Sequence, residues 1–200
     1  MIILLIQAVI IVILILIICD SKESYVVSPL DGRAYNVLEE FDDKEIAADK
    51  LAHINELNQT LIQYMLDNNK PGTHPYILGE RLKKRYRPDK LIENDPPDKD
   101  NTSYTEDKGK LLALCLRHKD AHNNANHNSI HDDNIIMFVS IHELAHISSL
   151  DYGHEDEFWD NFKILLENAD AGGFYNTQNY QTNPVNYCGL DVTFNPMFER

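Results

Sequence analysis

Apolar and polar positions change rhythm several times along this chain, and each change marks a different element. Residues 2–18 are almost wholly Ile, Leu and Val, with Gln7 the single polar side chain. A segment apolar on every face is no amphipathic surface helix. Its length is at the short end of what spans a bilayer. No Lys or Arg precedes it, and Ile18-Cys19-Asp20 makes a poor cleavage site. Residues 1–19 therefore read as an uncleaved N-terminal transmembrane anchor rather than a secretory signal. The bases nearest the span, Lys22 and Arg33, follow it, which leans the rest of the chain towards the cytoplasmic side of a membrane.

Beyond the anchor the rhythm alternates. Short strands are predicted around 25–28 and 34–38, on either side of a turn at Pro29-Leu30-Asp31-Gly32. Ile46, Ala47, Leu51, Ile54, Leu57, Leu61 and Met65 recur at helical spacing and predict a helix over 43–68, ended by Asn68-Asn69-Lys70-Pro71-Gly72. A second helix is expected at 76–86, stopping before Pro88. Residues 93–109 read as a loop. Lys110–Arg117 is a compact apolar run and predicts a buried strand.

Residues 118–134 form a polar insert rich in His and Asn. Asp132 or Asp133 then offers an N-cap for a helix over 134–150, with Ile135, Ile136, Val139 and Leu150 available to bury one face. A further helix begins near 155, its first turn acidic. Phe158, Trp159, Phe162, Leu165, Leu166 and Ala169 make its stripe, and Gly172-Gly173 closes it. The tail, 174–200, is expected to wrap the rest in extended form. The pattern predicts an α+β domain over 20–200, with the helix at 134–150 central to a small sheet.

The net charge of −14 argues against a domain that grips nucleic acid through its phosphates. One basic cluster, Arg81, Lys83, Lys84, Arg85 and Arg87, reads as a solvated helix face. Three cysteines make no disulfide framework and fit a reducing compartment, with one bridge between Cys115 and Cys188 left open.

The chemistry concentrates at His142-Glu143-Leu144-Ala145-His146. Two histidines four apart on a helix share one face, about one turn apart, so both imidazoles can reach one zinc ion. Glu143 then stands beside the metal, where it can act as general base on a zinc-activated water in peptide hydrolysis. A catalytic zinc needs a third protein ligand. His154 follows Gly153, whose freedom lets the chain turn back; Glu157, Glu167 and the insert histidines are the alternatives. Tyr152, Tyr175, Tyr180 and Tyr187 are candidates to stabilise an oxyanion, and the strand at 110–117 could hold an extended substrate by edge pairing. The insert offers His118, His122, His127 and His131 as a separate metal site.

The stretch from His142 to His146, then Gly153-His154, then Phe158-Trp159, resembles the WLM and SprT-like metallopeptidases. It looks closest to a membrane-anchored group in large DNA viruses. Ser28-Pro-Leu-Asp-Gly-Arg33, Thr102–Gly109, Leu114-Cys-Leu-Arg117 and Tyr187-Cys-Gly189 carry that likeness, which covers most of residues 25–196. The resemblance implies a zincin-like fold, a Zn2+ cofactor held by His142, His146 and His154, and Glu143 as the base. It implies a protein or peptide substrate and a host or virion membrane. The spacing from His146 to His154 is longer than in the yeast-type pattern, and the insert at 118–134 looks private to this chain. Some members digest proteins crosslinked to DNA; the anchor and the acidic charge argue against that substrate here. The rival expectation is a catalytically silent zinc-binding virion or membrane structural protein.

Overall fold

The computed structural model describes residues 23–94, 102–118 and 130–198. The expected anchor at 2–18 and the insert residues 119–129 lie outside them. Among the described residues, no helix is long and apolar enough to cross a membrane.

Two short strands open the fold, β1 (Glu23–Val27) and β2 (Ala34–Leu38), paired antiparallel with Tyr25 opposite Asn36. Their turn closes through Ser28 N–H to Arg33 O and Gly32 N–H to Ser28 O, both 2.9 Å. Then α1 (Lys44–Asn68) and α2 (His74–Arg85) cross over to β3 (Leu91–Glu93), which lies parallel to β2. In α1 the expected apolar series is buried except at Leu57, which is half-buried, and Ile46, which is 53% exposed near the helix start. Asn55 and Asn58 are buried in its place along that face. Asn55 is satisfied there, donating to Tyr35 Oη (2.8 Å) and Pro88 O (2.9 Å) and accepting from Tyr86 Oη (2.7 Å).

The expected loop at 93–109 holds a strand. Tyr104–Glu106 forms β4, antiparallel to β5 (Leu111–Leu114), with Thr105 opposite Leu112. Three polar residues carry no periodic signal, so only the pairing partner makes them a strand. The turn between them takes three positive φ angles, Asp107 at 43°, Lys108 at 56° and Gly109 at 102°. Gly109 is required twice over: its φ suits glycine, and a Cβ there would stand 2.8 Å from Arg85 O. The sheet order is β1-β2-β3-β5-β4. Both edges of β5 are taken, by β3 and β4, so the expected edge pairing at 110–117 does not hold; the open edge near the site belongs to β4.

The helix α3 (Asp133–Ser148) packs against α1, α2, β4, β5 and the following α4 (Asp156–Ala171). Burial runs around most of its circumference, from Ile135 to Ser148, rather than along one stripe. Leu150 lies past its end and is 59% exposed, contrary to the expectation that it buries. The tail contains a hairpin, β6 (Val185–Tyr187) with β7 (Leu190–Val192). A disulfide joins Cys188 in that hairpin to Cys115 at the end of β5. This is the bridge that the sequence left open. It spans 73 positions of sequence, and only the docking of the hairpin under β5 makes the two cysteines neighbours.

Candidate metal centre

Several contacts hold α3 in place before any chemistry is considered. At its N-terminus the Asp132 carboxylate accepts from Asn134 N–H (2.9 Å). Midway, Ser140 Oγ and the Asn58 amide exchange hydrogen bonds at 2.8 and 3.0 Å, tying α3 to α1. At the C-terminus three cations meet the unsatisfied carbonyls. Arg85 Nη1 donates to Ile147 O (2.7 Å) and Ser149 O (3.0 Å), Arg81 Nη1 to Ser148 O (3.1 Å), and Lys108 Nζ to His146 O (3.1 Å). Positive charge is favourable at that end of a helix. The basic cluster at 81–87 is thus only partly a solvated face: Lys83, Lys84 and Arg87 are exposed, while Arg81 and Arg85 terminate the site helix.

After α3 the chain turns at Gly153, whose φ of 94° any other residue would resist. That turn brings His154 back over His142 and His146. His154 Nε2 lies 3.1 Å from His146 Nε2 and 3.1 Å from His142 Nε2. Phe158 on α4 packs beneath all three rings, with centroids at 4.9, 4.3 and 4.6 Å from His142, His146 and His154. Among the described residues these three histidines form the cluster able to hold a metal ion. Four-coordinate zinc at roughly 2.0–2.1 Å from each nitrogen separates its ligands by roughly 3.3 Å, so the observed spacing fits. One imidazole N–H donates well to one acceptor, yet His154 Nε2 meets two nitrogens at the same distance, an arrangement that could hold a shared cation.

Electrostatics point the same way. Burial, then the neighbouring histidines, pulls the His142 pKa down to about 3. Burial, then His154 and Lys108, pulls His146 down to about 4, and burial lowers His154. Neutral imidazoles keep the lone pairs that ligation needs. Glu143 is buried, and desolvation pushes its pKa up to about 8.

The other candidate ligands lie elsewhere. Glu157 accepts from Leu150 N–H at 3.1 and 3.2 Å and pairs with Arg81, so it braces the loop after α3. Glu167 is exposed on α4. His131 stacks with His118 at 3.7 Å and accepts from Cys188 N–H, outside the cluster. His122 and His127 are outside the described residues.

The histidines and Glu143 open into a cleft of ≈ 500 Å³ between β4 and the β6–β7 hairpin. Tyr152 and Tyr187 both line it. Tyr152 is 75% exposed at the mouth, with Lys108 Nζ 4.5 Å from its ring centre. The Tyr187 hydroxyl donates to Cys115 O (2.5 Å), which commits its proton. Tyr175 and Tyr180 are packed in the core, their hydroxyls 3.5 Å apart, and do not reach the cleft. That corrects their candidacy: their rings fill space beside Phe138.

No family model matches the chain. It is 34% identical over 174 residues to the Uncharacterized protein R325 of Acanthamoeba polyphaga mimivirus, which covers 86% of this chain and 83% of that one. The chain belongs to the family of the mimivirus protein R325. Two further viral relatives align over less of their length. The Uncharacterized protein 042R of Invertebrate iridescent virus 3 is 37% identical over 46% of this chain and 52% of its own. The Uncharacterized protein 136R of Invertebrate iridescent virus 6 is 36% identical over 43% of this chain and 44% of its own. All three of these relatives of the R325-family chain are viral proteins. Among solved structures, it is similar to Wss1 from Saccharomyces cerevisiae at a TM-score of 0.45 and 18% identity, over 68% of this chain and 89% of that one.

Proposed function

We propose that this chain is a zinc-dependent endopeptidase of zincin-like type, with His142, His146 and His154 as metal ligands and Glu143 as general base. The observation that carries the reading is the convergence of three Nε2 atoms within 3.1 Å contacts beside a buried carboxylate from the same helix turn. When bound, zinc would supply Lewis acidity and a water of lowered pKa, leaving the chain to position the substrate and move protons. Glu143 takes a proton and returns it to the departing amine. An extended peptide adds to the open edge of β4, its backbone pairing with the strand. Tyr152, at the mouth of the cleft, is the group assigned to donate to a developing oxyanion. Residues 2–18 tether this activity to a membrane, and the −14 charge makes protein rather than nucleic acid the partner.

The test is metal analysis and casein digestion with the purified full-length chain in detergent. One zinc per chain is expected, lost in His142→Ala. Glu143→Gln should keep the zinc and lose activity by about 10²–10⁴-fold. A wild type that binds zinc but is as inert as Glu143→Gln would replace the peptidase with a silent zinc protein. A chain that takes up no zinc would overturn both.

A further inference from the structure

The two walls of the cleft are chemically unlike. On one side Ser103 and the adjoining β4 offer backbone and the hydroxyl-bearing side chains of Ser103, Tyr104 and Thr105. On the other, a run of rings leads away from the histidines. His142 packs on Phe162 at 5.1 Å, and Phe162 on Phe138 at 5.2 Å. Trp159 lies 6.4 Å from Phe162 and 5.4 Å from Phe194 in the tail. Trp159 and Phe194, both half-buried, line the cleft with Val139 and Val192, while Phe138 and Phe162, 5% and 2% exposed, back them from the core.

Apart from Glu143 beside the histidines, the charged side chains of the cleft are committed away from this wall. Lys108 is bound to His146 O, and Asp191 accepts from Asn186 Nδ2 at 2.7 Å across the hairpin. A charged substrate side chain laid on the wall would lose its water without gaining a partner. A large apolar one would bury its surface against rings. Exposed apolar surface continues outward at the mouth, with Leu190 44% and Tyr152 75% exposed. The wall begins at the histidines, so the side chain it takes is the one beside the bond to be cut.

We propose that the wall presented by Trp159 and Phe194 with Val139 and Val192, and backed by Phe138 and Phe162, is a specificity subsite that selects a large apolar or aromatic side chain next to the scissile bond of an extended peptide. As a statement about substrate choice it rests on the peptidase reading; as a statement about binding it can be tested apart from it.

Trp159 is the single tryptophan of the chain, so its emission reports on the wall directly. The experiment titrates the full-length Glu143→Gln chain in detergent with short blocked peptides that differ at one central position, Phe or Leu against Asp, Lys or Gly. Peptides with Phe or Leu should shift Trp159 emission with half-saturation at about tenfold lower concentration, the scale on which apolar pockets discriminate. Phe194→Ala should narrow that gap about threefold while the melting transition and zinc content stay put. In parallel, wild type digests a random peptide mixture, and the cut sites are read by mass spectrometry. Cuts flanked by Phe, Leu, Met, Tyr or Trp about tenfold above chance support the subsite. Cuts without side-chain preference, or equal titration by Phe and Asp peptides, overturn it even where Glu143→Gln proves the peptidase. An inert wild type whose Trp159 still prefers Phe peptides overturns the peptidase and leaves the binding subsite standing.

Discussion

Breaking the Cys115–Cys188 bridge should cost this fold a large share of its stability. The bridge closes a loop of 73 positions. Constraining a loop of that length in the unfolded chain stabilises the native state by about 4 kcal/mol in the chain-entropy treatment. Domains of this kind typically have about 5–15 kcal/mol in total, so the loss is a quarter or more of it. The perturbation is a non-chelating phosphine reductant, with Cys115→Ala/Cys188→Ala as the genetic equivalent. Urea unfolding of the full-length chain in detergent reads the effect: at a slope of about 2 kcal/mol per molar, the midpoint should fall by roughly 2 M. The site should feel it as well, because the bridged hairpin lines the cleft through Leu190, Val192 and Phe194. Thiol titration in denaturant checks the premise. Of three cysteines, Cys19 alone should react before reduction and all three after it. Three reactive thiols in the unreduced chain would refute the bridge, and coincident urea midpoints would refute its energetic weight.

Other predictions concern the supports around the site. Arg85→Met removes two charge-assisted bonds to Ile147 O and Ser149 O and should lower stability by about 2 kcal/mol. Arg85→Lys should restore only part of the urea midpoint, because one ammonium lacks the guanidinium fork; full restoration would show that charge alone matters there. Arg117 is 5% exposed and binds the Glu93 carboxylate (2.7 Å) and Asp43 (2.6 Å). Arg117→Met leaves Glu93 buried without that partner and should cost about 3–5 kcal/mol, with Arg117→Met/Glu93→Gln recovering a clear fraction. His131 gives a pH signature. Burial, then the neighbouring His118, lowers its pKa from 6.5 to about 4. The unfolded chain then binds more protons between those values, so this contribution is complete above pH 6.5 and is lost as pH falls towards 4. His131→Gln should flatten the urea midpoint against pH in that window, and an unchanged slope would contradict the assignment.

The elements that depend on neighbours in sequence were legible from the residues alone. Apolar spacing placed a helix over 43–68 against the observed Lys44–Asn68, and an N-cap expected at Asp132 or Asp133 placed the start of α3, where the structure uses Asp132. Histidines four apart face one way on any helix, and Gly153 announces a turn, because both follow from local backbone geometry. What tertiary structure decided is everything set by partners distant in sequence. β4 is a strand because Leu111–Ala113 pair with it, and its position made it the open edge instead of β5. Arg81 and Arg85 read as solvated until the fold brought the end of α3 against them. His154 rather than Glu157 meets the two helix histidines because Glu157 is drawn to Leu150 N–H and Arg81. Cys115 and Cys188, and the rings of Trp159 and Phe194, become neighbours only when the tail docks. Short-range periodicity carries the helices and the spacing of the motif; the shape of the cleft is a long-range product of packing, and no local pattern encodes it.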